Sequence, residues 1–431
     1  MWWLYQILLV LVLALAGPLL LVVRGRHYLP TLAGRFGLQL PDPPAGGRPL
    51  WIHAVSVGET LVAATLARSL PPGPLVVTTI TPTGQARARA AFGSRPATAV
   101  SYLPFDLAPP LDRFLARLDP TALILVEGDY WPLVLARARR RGMPVAVVNG
   151  RVGDTSFRRL RRVKPVLRLL FAAVDRFAVQ SEEDRRRLTA LGVAGERVTV
   201  TGNLKYDSPP PAPATALTAS LAGLAAGRPL LVAGSTMPGE EAAVIAAHRL
   251  AGGGGSALLV IAPRHPERWD EVERLLAREG LAVVRRSALG EAPGASSDAA
   301  GGRVDVVLLD SLGELAALYG EAAAAFVGGT LVSTGGHNPL EPARFGVPTA
   351  VGPSMDNFRQ MAEDFDRAGA WERVTDAGTL GETWRRWLAD PAAARLVGER
   401  ARRLVEANRG ATARTVEVLA PLLAGDARIP R

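Results

Sequence analysis

A chain of 431 residues is longer than one hydrophobic core usually organises, so two domains are expected. With no cysteine, it has no disulfides, no thiolate metal site and no cysteine nucleophile. Lys and Arg number 50 against 40 Asp and Glu, mostly as arginine, which suits an anionic partner; scarce aromatics and the lack of any nucleic-acid-binding signature argue against nucleic acid.

From Trp2 to Val23 the chain carries no formal charge and is dominated by Leu, Val and Ala, the length of one bilayer crossing. No basic stretch precedes the apolar run and no small-residue cleavage site follows it, so a cleaved signal peptide is not expected. Arg24, Arg26 and His27 follow directly, which predicts an anchor over residues 1–26 with everything downstream on the cytoplasmic side of an inner membrane, and Trp2, Trp3 and Tyr5 at the opposite interface. A helix lying within one leaflet fits the same residues.

Short apolar runs then alternate with helical stretches: Leu50 to Val55, Leu75 to Ile80, Thr98 to Leu103, Ala122 to Val126, Val145 to Asn149 and Arg176 to Val179. Runs apolar throughout predict strands covered on both faces, as in a parallel doubly wound sheet. The Pro-rich segment from Asp207 to Ala214 interrupts this rhythm and predicts a linker over 207–217, between an N-terminal domain of 27–206 and a C-terminal one of 218–431 that includes the last helices. In the second domain Leu230 to Ala233, Leu258 to Ala262, Val304 to Leu309, Ala323 to Val327 and Thr349 to Val351 read as strands. The stretches Gly252 to Gly255 and Ser287 to Gly302 read as surface loops. The expected class is α/β: two Rossmann-like sheets facing a cleft.

Ligands of such sheets bind at the carboxyl ends of strands. Ser56-Val57-Gly58-Glu59 stands there, at a strand-to-helix junction, where Glu59 suits either a reacting base or a helix-dipole partner. Glu127-Gly128-Asp129 follows the run Ala122 to Val126 in the same way, before Tyr130-Trp131-Pro132. Glu-x-Asp also fits a divalent metal, but the favoured reading has no metal; Asp364 and Asp366 lie two apart on a helical stretch and read as solvated.

In the second domain Gly234-Ser235-Thr236 offers either a phosphate cradle or an ordinary tight turn. Arg264 and His265 in Pro263-Arg264-His265-Pro266 bring a cation and an imidazole to the sheet's edge. The strongest local signal is Gly328-Gly329-Thr330 with Ser333-Thr334-Gly335-Gly336-His337-Asn338-Pro339-Leu340-Glu341: glycines that admit a phosphate to bare amides, side-chain donors, and Glu341 for ribose hydroxyls.

Together HAVSVGE at 53–59, SYLPFD at 101–106, QSEEDRRRL at 180–188, TGNLKYD at 201–207, APRHPER at 262–268 and GGHNPLEP at 335–342 resemble the Kdo transferases of lipopolysaccharide synthesis, across almost the whole chain. The resemblance implies a GT-B fold and CMP-Kdo (Kdo, 3-deoxy-D-manno-octulosonic acid) as donor. It further implies a lipid A precursor (lipid IVA), a phosphorylated and acylated glucosamine disaccharide, as acceptor, with inversion at the anomeric carbon and neither metal nor cofactor. It makes Glu59 the general base and Glu127 a second essential carboxylate. Two positions depart from the family pattern: Asp129 stands for a usual glutamate, with Gly128 before it, and Met237 stands for a histidine. Asp129 keeps the charge with a shorter reach, and Met237 cannot donate a hydrogen bond.

The catalytic candidates are thus Glu59, Glu127 and Asp129, and the donor candidates Ser235, Thr236, Arg264, His265, Gly335, Gly336, His337, Asn338 and Glu341. Acceptor binding falls to Ser56, Gly58, Lys205 and the basic stretch Ser156 to Leu170, with Arg158, Arg161 and Arg162 among leucines and valines. Two other classes remain: a soluble sugar-nucleotide epimerase of the same fold, which the anchor disfavours, and a membrane scaffold, which needs no paired carboxylates.

Overall fold

The computed structural model describes residues 2–208, 214–289 and 303–424. The chain divides into two compact units, Met1–Pro209 with Asn408–Arg431, and Pro210–Ala407.

The first unit is built on a parallel sheet of β1 (Leu50–His53), β2 (Leu75–Thr79), β3 (Thr98–Tyr102), β4 (Ala122–Val126), β5 (Val145–Gly150), β6 (Arg176–Val179) and β7 (Val198–Val200), in the order β3-β2-β1-β4-β5-β6-β7. Successive residues of a strand point to opposite faces, and here both faces are buried. Trp51, Leu123 and Leu125 pack with Leu111, Phe114 and Phe171 on one side. Ile52, Ile124 and Val126 pack with Val62 and Leu66 on the other. The order reverses between β1 and β4, so the loops after these two strands meet at the sheet's topological switch point.

The last helix, Ala411–Leu423, belongs to this unit, and this corrects its expected place in the second domain. The carboxylate of Asp207 accepts from the N–H groups of Gly410 at 2.8 Å and Thr412 at 2.6 Å, fixing the helix's first turn, while Leu419 and Leu422 join the core beside Leu66. The pairing spans about 200 residues of sequence and leaves no local signal.

The second unit repeats the design with β8 (Leu230–Thr236), β9 (Leu258–Pro263), β10 (Val283–Arg285), β11 (Val306–Leu308), β12 (Ala324–Val327), β13 (Thr349–Val351) and β14 (Glu372–Arg373), ordered β10-β11-β9-β8-β12-β13-β14. Its switch point lies between β8 and β12, whose ends touch where the N–H of Gly328 donates to the carbonyl of Gly234 at 2.8 Å. All eleven expected strands are present. Unexpected are β7, β10 and β14, which are short and sit at sheet edges.

The Gly-rich stretch read as a loop contains a short helix, Gly253–Ser256. Of the other expected loop, residues 290–302 lie outside the described part, as do 209–213 of the expected linker, whose end is already helical in Thr215–Ala225. The basic stretch forms two helices, Asp154–Arg162 and Lys164–Phe171, parted at Val163 because Pro165 opens the second.

The N-terminal helix runs over Trp2–Tyr28. Among the described residues, no helix is long and apolar enough to cross a membrane. The side chain of Gln6 accepts from the N–H of Ala108 at 2.9 Å, while Trp3, Leu4, Leu8 and Leu15 are exposed.

Candidate active site

At the first unit's switch point, Ser56 caps helix Val57–Ser69 and Glu59 sits in its first turn. The Glu59 carboxylate accepts from the N–H of Val55 at 2.8 Å and the hydroxyl of Ser56 at 3.0 Å, a reciprocal capping arrangement. Burial raises its pKa above the ordinary carboxylate range; the Val55 N–H opposes this, and the charge of Glu127 adds to it. Glu59 is thus a cap and also a carboxylate of increased basicity beside a second one.

Glu127, Gly128 and Asp129 turn sharply off β4. Glu127 has φ of +65° and Gly128 of +120°. Asn149, at the end of the neighbouring β5, has φ of +54°. Backbone in this region is costly for residues other than glycine and persists where surrounding contacts impose it. Those contacts are present: Glu127 accepts from the Asn149 amide at 3.2 Å and pairs with Lys205 at 2.9 Å, while Asn149 also takes the N–H of Leu204. Asp129 accepts from the indole of Trp131 at 2.7 Å and lies 3.4 Å from Nε2 of His53.

Of the acceptor candidates, Ser56 and Lys205 belong to this cluster and Gly58 lies in the adjoining helical turn. Arg158, Arg161 and Arg162 do not join it; they are exposed on helix Asp154–Arg162, which buries none of its residues. Arg187 carries that helix by pairing with Asp154.

At the second switch point, the central residue is one that sequence reasoning passed over. Glu240, fully buried, accepts four backbone N–H groups: Met237 at 2.9 Å, Gly329 at 2.6 Å, Thr330 at 2.9 Å and Leu331 at 2.8 Å. The turn that begins at Gly328, expected to present bare amides to a phosphate, spends those of Gly329, Thr330 and Leu331 on this carboxylate. Next to it Glu241 holds Arg268 at 2.6 Å and the hydroxyl of Thr236 at 3.0 Å, so Thr236 faces the interior rather than a ligand. Ser235 turns the chain at φ of +56°.

Gly335 and Gly336, at φ of +88° and +76°, need to be glycine for reasons of packing. A Cβ would fall 2.7 Å from the Asn357 side chain at the first and 2.6 Å from the Met355 sulfur at the second. Their N–H groups donate to Ser354 Oγ and to the carbonyl of Gly329. The close approach expected of them is to the protein itself.

The remaining donor candidates do converge. Among the described residues the buried Nε2 of His337 has no hydrogen-bond partner, and burial, with the charges of Arg264 and His265 adding to it, brings its pKa down to about 4. At neutral pH it is an uncharged imidazole. Arg264 is exposed and, among the described residues, makes no ion pair, whereas Arg268 four residues on is fully engaged. Burial raises the Glu341 carboxyl while the Asn338 amide, 3.2 Å away, and Arg264 oppose this. Of the two acids read as solvated, Asp364 pairs with Arg367 and Asp366 with Arg373.

Comparison with known proteins decides between the readings left open. The family model described as 3-Deoxy-D-manno-octulosonic-acid transferase (kdotransferase) matches residues 31–208. The 3-deoxy-D-manno-octulosonic acid transferase of Bordetella pertussis is 38% identical over 406 residues, covering 91% of each chain, and that of Haemophilus influenzae 33% identical over 413 residues, covering 94% of each. The chain belongs to the Kdo transferase family.

It is therefore a glycosyltransferase, and the epimerase and scaffold alternatives fall away. Among solved structures, the UDP-GlcNAc 2-epimerase from Neisseria meningitidis bound to UDP-GlcNAc aligns with a TM-score of 0.58 at 12% identity, over 87% of this chain and 100% of that one. The S. aureus MnaA-UDP complex aligns with a TM-score of 0.55 at 12% identity, over 88% and 97%. At this identity these likenesses bear on the fold alone.

Proposed function

We propose that this transferase moves Kdo from CMP-Kdo to a lipid A precursor, lipid IVA, in lipopolysaccharide synthesis, as a GT-B enzyme that inverts the anomeric carbon without a metal. Glu59 takes the proton of an acceptor hydroxyl as its oxygen bonds to the anomeric carbon; the bond to the CMP phosphate breaks, and CMP leaves with the electron pair. The observation that carries this reading is Glu59 itself: a buried carboxylate of raised pKa, held by the Val55 N–H and Ser56 hydroxyl at a strand's carboxyl end. Burial makes it more basic than an exposed glutamate, and the two donors hold it in one orientation.

The second unit binds the donor. Arg264 faces the phosphate, whose single charge suits one guanidinium and neutral donors such as His337. Among the described residues no group of three His, Asp or Glu stands ready to hold a metal ion. The acceptor belongs to the first unit. The exposed apolar side chains of the N-terminal helix, an adjoining apolar cavity of about 560 Å³ lined by Ile7, Val10, Phe36 and Leu107, and the exposed arginines of helix Asp154–Arg162 support an anchored enzyme working at the cytoplasmic face of the inner membrane.

CMP release, measured with and without the acylated acceptor, tests the reading. Release that needs the acceptor, with a product heavier by one Kdo unit, is expected. Release that is independent of the acceptor would exclude it as the co-substrate.

A further inference from the structure

His53 lies at the end of β1, 1% exposed, beneath the carboxylates of the first unit. Its Nδ1 is 2.9 Å from the hydroxyl of Thr78, and that same oxygen accepts the indole N–H of Trp51 at 2.8 Å. The buried Thr78 hydroxyl has one hydrogen to donate, and among the described residues Nδ1 is the acceptor within reach. Nδ1 therefore accepts, and in the neutral ring Nε2 carries the hydrogen. Nε2 in turn lies 3.4 Å from Oδ2 of Asp129, which can only accept.

The result is a directed chain of hydrogen bonds, Trp51 to Thr78 to His53 to Asp129. Trp131 closes it from the other side, donating to the same Oδ2 at 2.7 Å. Both donors use Oδ2. Among the described residues nothing bonds to Oδ1, and the Asp129 side chain is 35% exposed. One oxygen of this carboxylate is tied to the protein, and the other is left without a bond among the described residues in a side chain that is partly exposed.

We infer that His53 is a positioning residue of the transfer reaction, which orients Asp129 through Oδ2 so that Oδ1 meets a hydroxyl of the bound substrate. The inference rests on the proposed site and adds to it a member that does not touch substrate. It also accounts for the aspartate at this position. A carboxylate on a short stem is held by donors from below, while a glutamate would carry its oxygens about one carbon–carbon bond further out. The chain is buried from Trp51 through Thr78 to His53 and runs in one direction, which suits a fixed orientation better than a surface pair would.

The test compares His53→Leu, His53→Gln, Asp129→Asn and the double variant His53→Leu/Asp129→Asn in transfer to the lipid acceptor. Glutamine places an amide N–H close to the position of Nε2, whereas leucine fills similar space without a donor. His53→Leu is expected to lower kcat at least tenfold with little change in donor KM; His53→Gln should recover most of that loss, and His53→Leu should add little in the Asp129→Asn background. If His53 only supports the fold, His53→Gln and His53→Leu lose stability alike, the folded fraction turns over normally, and the losses of the double variant add; any of these overturns the inference. Should Asp129→Asn itself turn over at the parental rate, the role of Asp129 in the site fails along with the inference. Should Asp129→Asn be impaired and His53→Leu not, only the inference fails.

Discussion

The two switch points occupy the same place in two similar sheets and use carboxylates in opposite ways. After β1 and β4 the acids Glu59, Glu127 and Asp129 keep part of their surface open, and the protein around them bears the strain, with positive φ at Glu127 and Asn149. After β8 the acids Glu240 and Glu241 are fully enclosed and their oxygens are consumed, one by four backbone N–H groups and the other by Arg268 and Thr236. An acid in the first helical turn after a strand is thus the proposed reacting group in one unit and a clasp in the other. What differs is burial together with the number of donors that fill its lone pairs.

The largest expected effect tests the clasp. In Glu240→Gln one oxygen becomes an NH₂ group that faces two N–H donors, and two buried donors lose their acceptor. At about 1–3 kcal/mol each, the second unit loses about 2–6 kcal/mol, read as a lowered thermal transition. A variant that melts with the parent would mean that Glu240 does not hold the Gly329 to Leu331 turn.

The reverse is expected of Glu59→Gln. The glutamine carbonyl still accepts from Val55 and its amide still meets the Ser56 hydroxyl, so folding and CMP binding persist. The base is gone, and transfer falls at least roughly a hundredfold. Near-parental turnover would take Glu59 out of the reaction and leave it a helix cap.

Arg264→Ala and Glu341→Ala come next. Each removes a polar partner proposed for the nucleotide, worth about 1.5–3 kcal/mol for a charged group, or roughly ten- to a hundredfold in CMP affinity by calorimetry. Acceptor KM is expected to stay where it is. Arg268→Ala serves as the contrast: it breaks the buried pair with Glu241 and lowers stability first. Variants of Arg264 and Glu341 that keep full CMP affinity yet lose lipid affinity would assign those residues to the acceptor.

Much of the fold was legible because the central strands, such as Ala122–Val126, are apolar without interruption, and that pattern has one common structural meaning. The edge strands β7, β10 and β14 escaped because two or three residues such as Glu372–Arg373 carry no such pattern. The place of the last helix hangs on Asp207, far away in sequence. Of the proposed site, Glu59, Glu127, Arg264 and His337 were singled out from position and chemistry. Glu240 was not, since Gly239-Glu240-Glu241 and Gly58-Glu59 look alike until the donors that surround them are known. The glycines at 335 and 336 were singled out for close approach to a phosphate, and packing adds a reason no local pattern carries: a Cβ at either would meet Asn357 or Met355.

The smallest effect, and the finest test of the comparison, is a pH profile. A base must be ionised to act, so kcat/KM falls as pH drops through the pKa of Glu59. Burial raises that pKa, with the charge of Glu127 adding to the rise, so the acid limb lies above the ordinary glutamate value of about 4.3. Glu127→Gln removes the like charge while its carbonyl still accepts from Asn149. The ionised form of Glu59 is then opposed less, its pKa falls, and the limb moves to lower pH. A limb set by the second ionisation of a substrate phosphate would not respond to Glu127, whatever the loss in maximal rate. Glu341 offers the matching control in the other unit: burial raises its carboxyl too, but it is proposed to hold ribose and to leave the proton transfer alone. Glu341→Ala should therefore raise donor KM and leave the limb in kcat, at saturating donor, in place. A limb that follows Glu341 and ignores Glu127 would exchange the roles assigned to the two switch points.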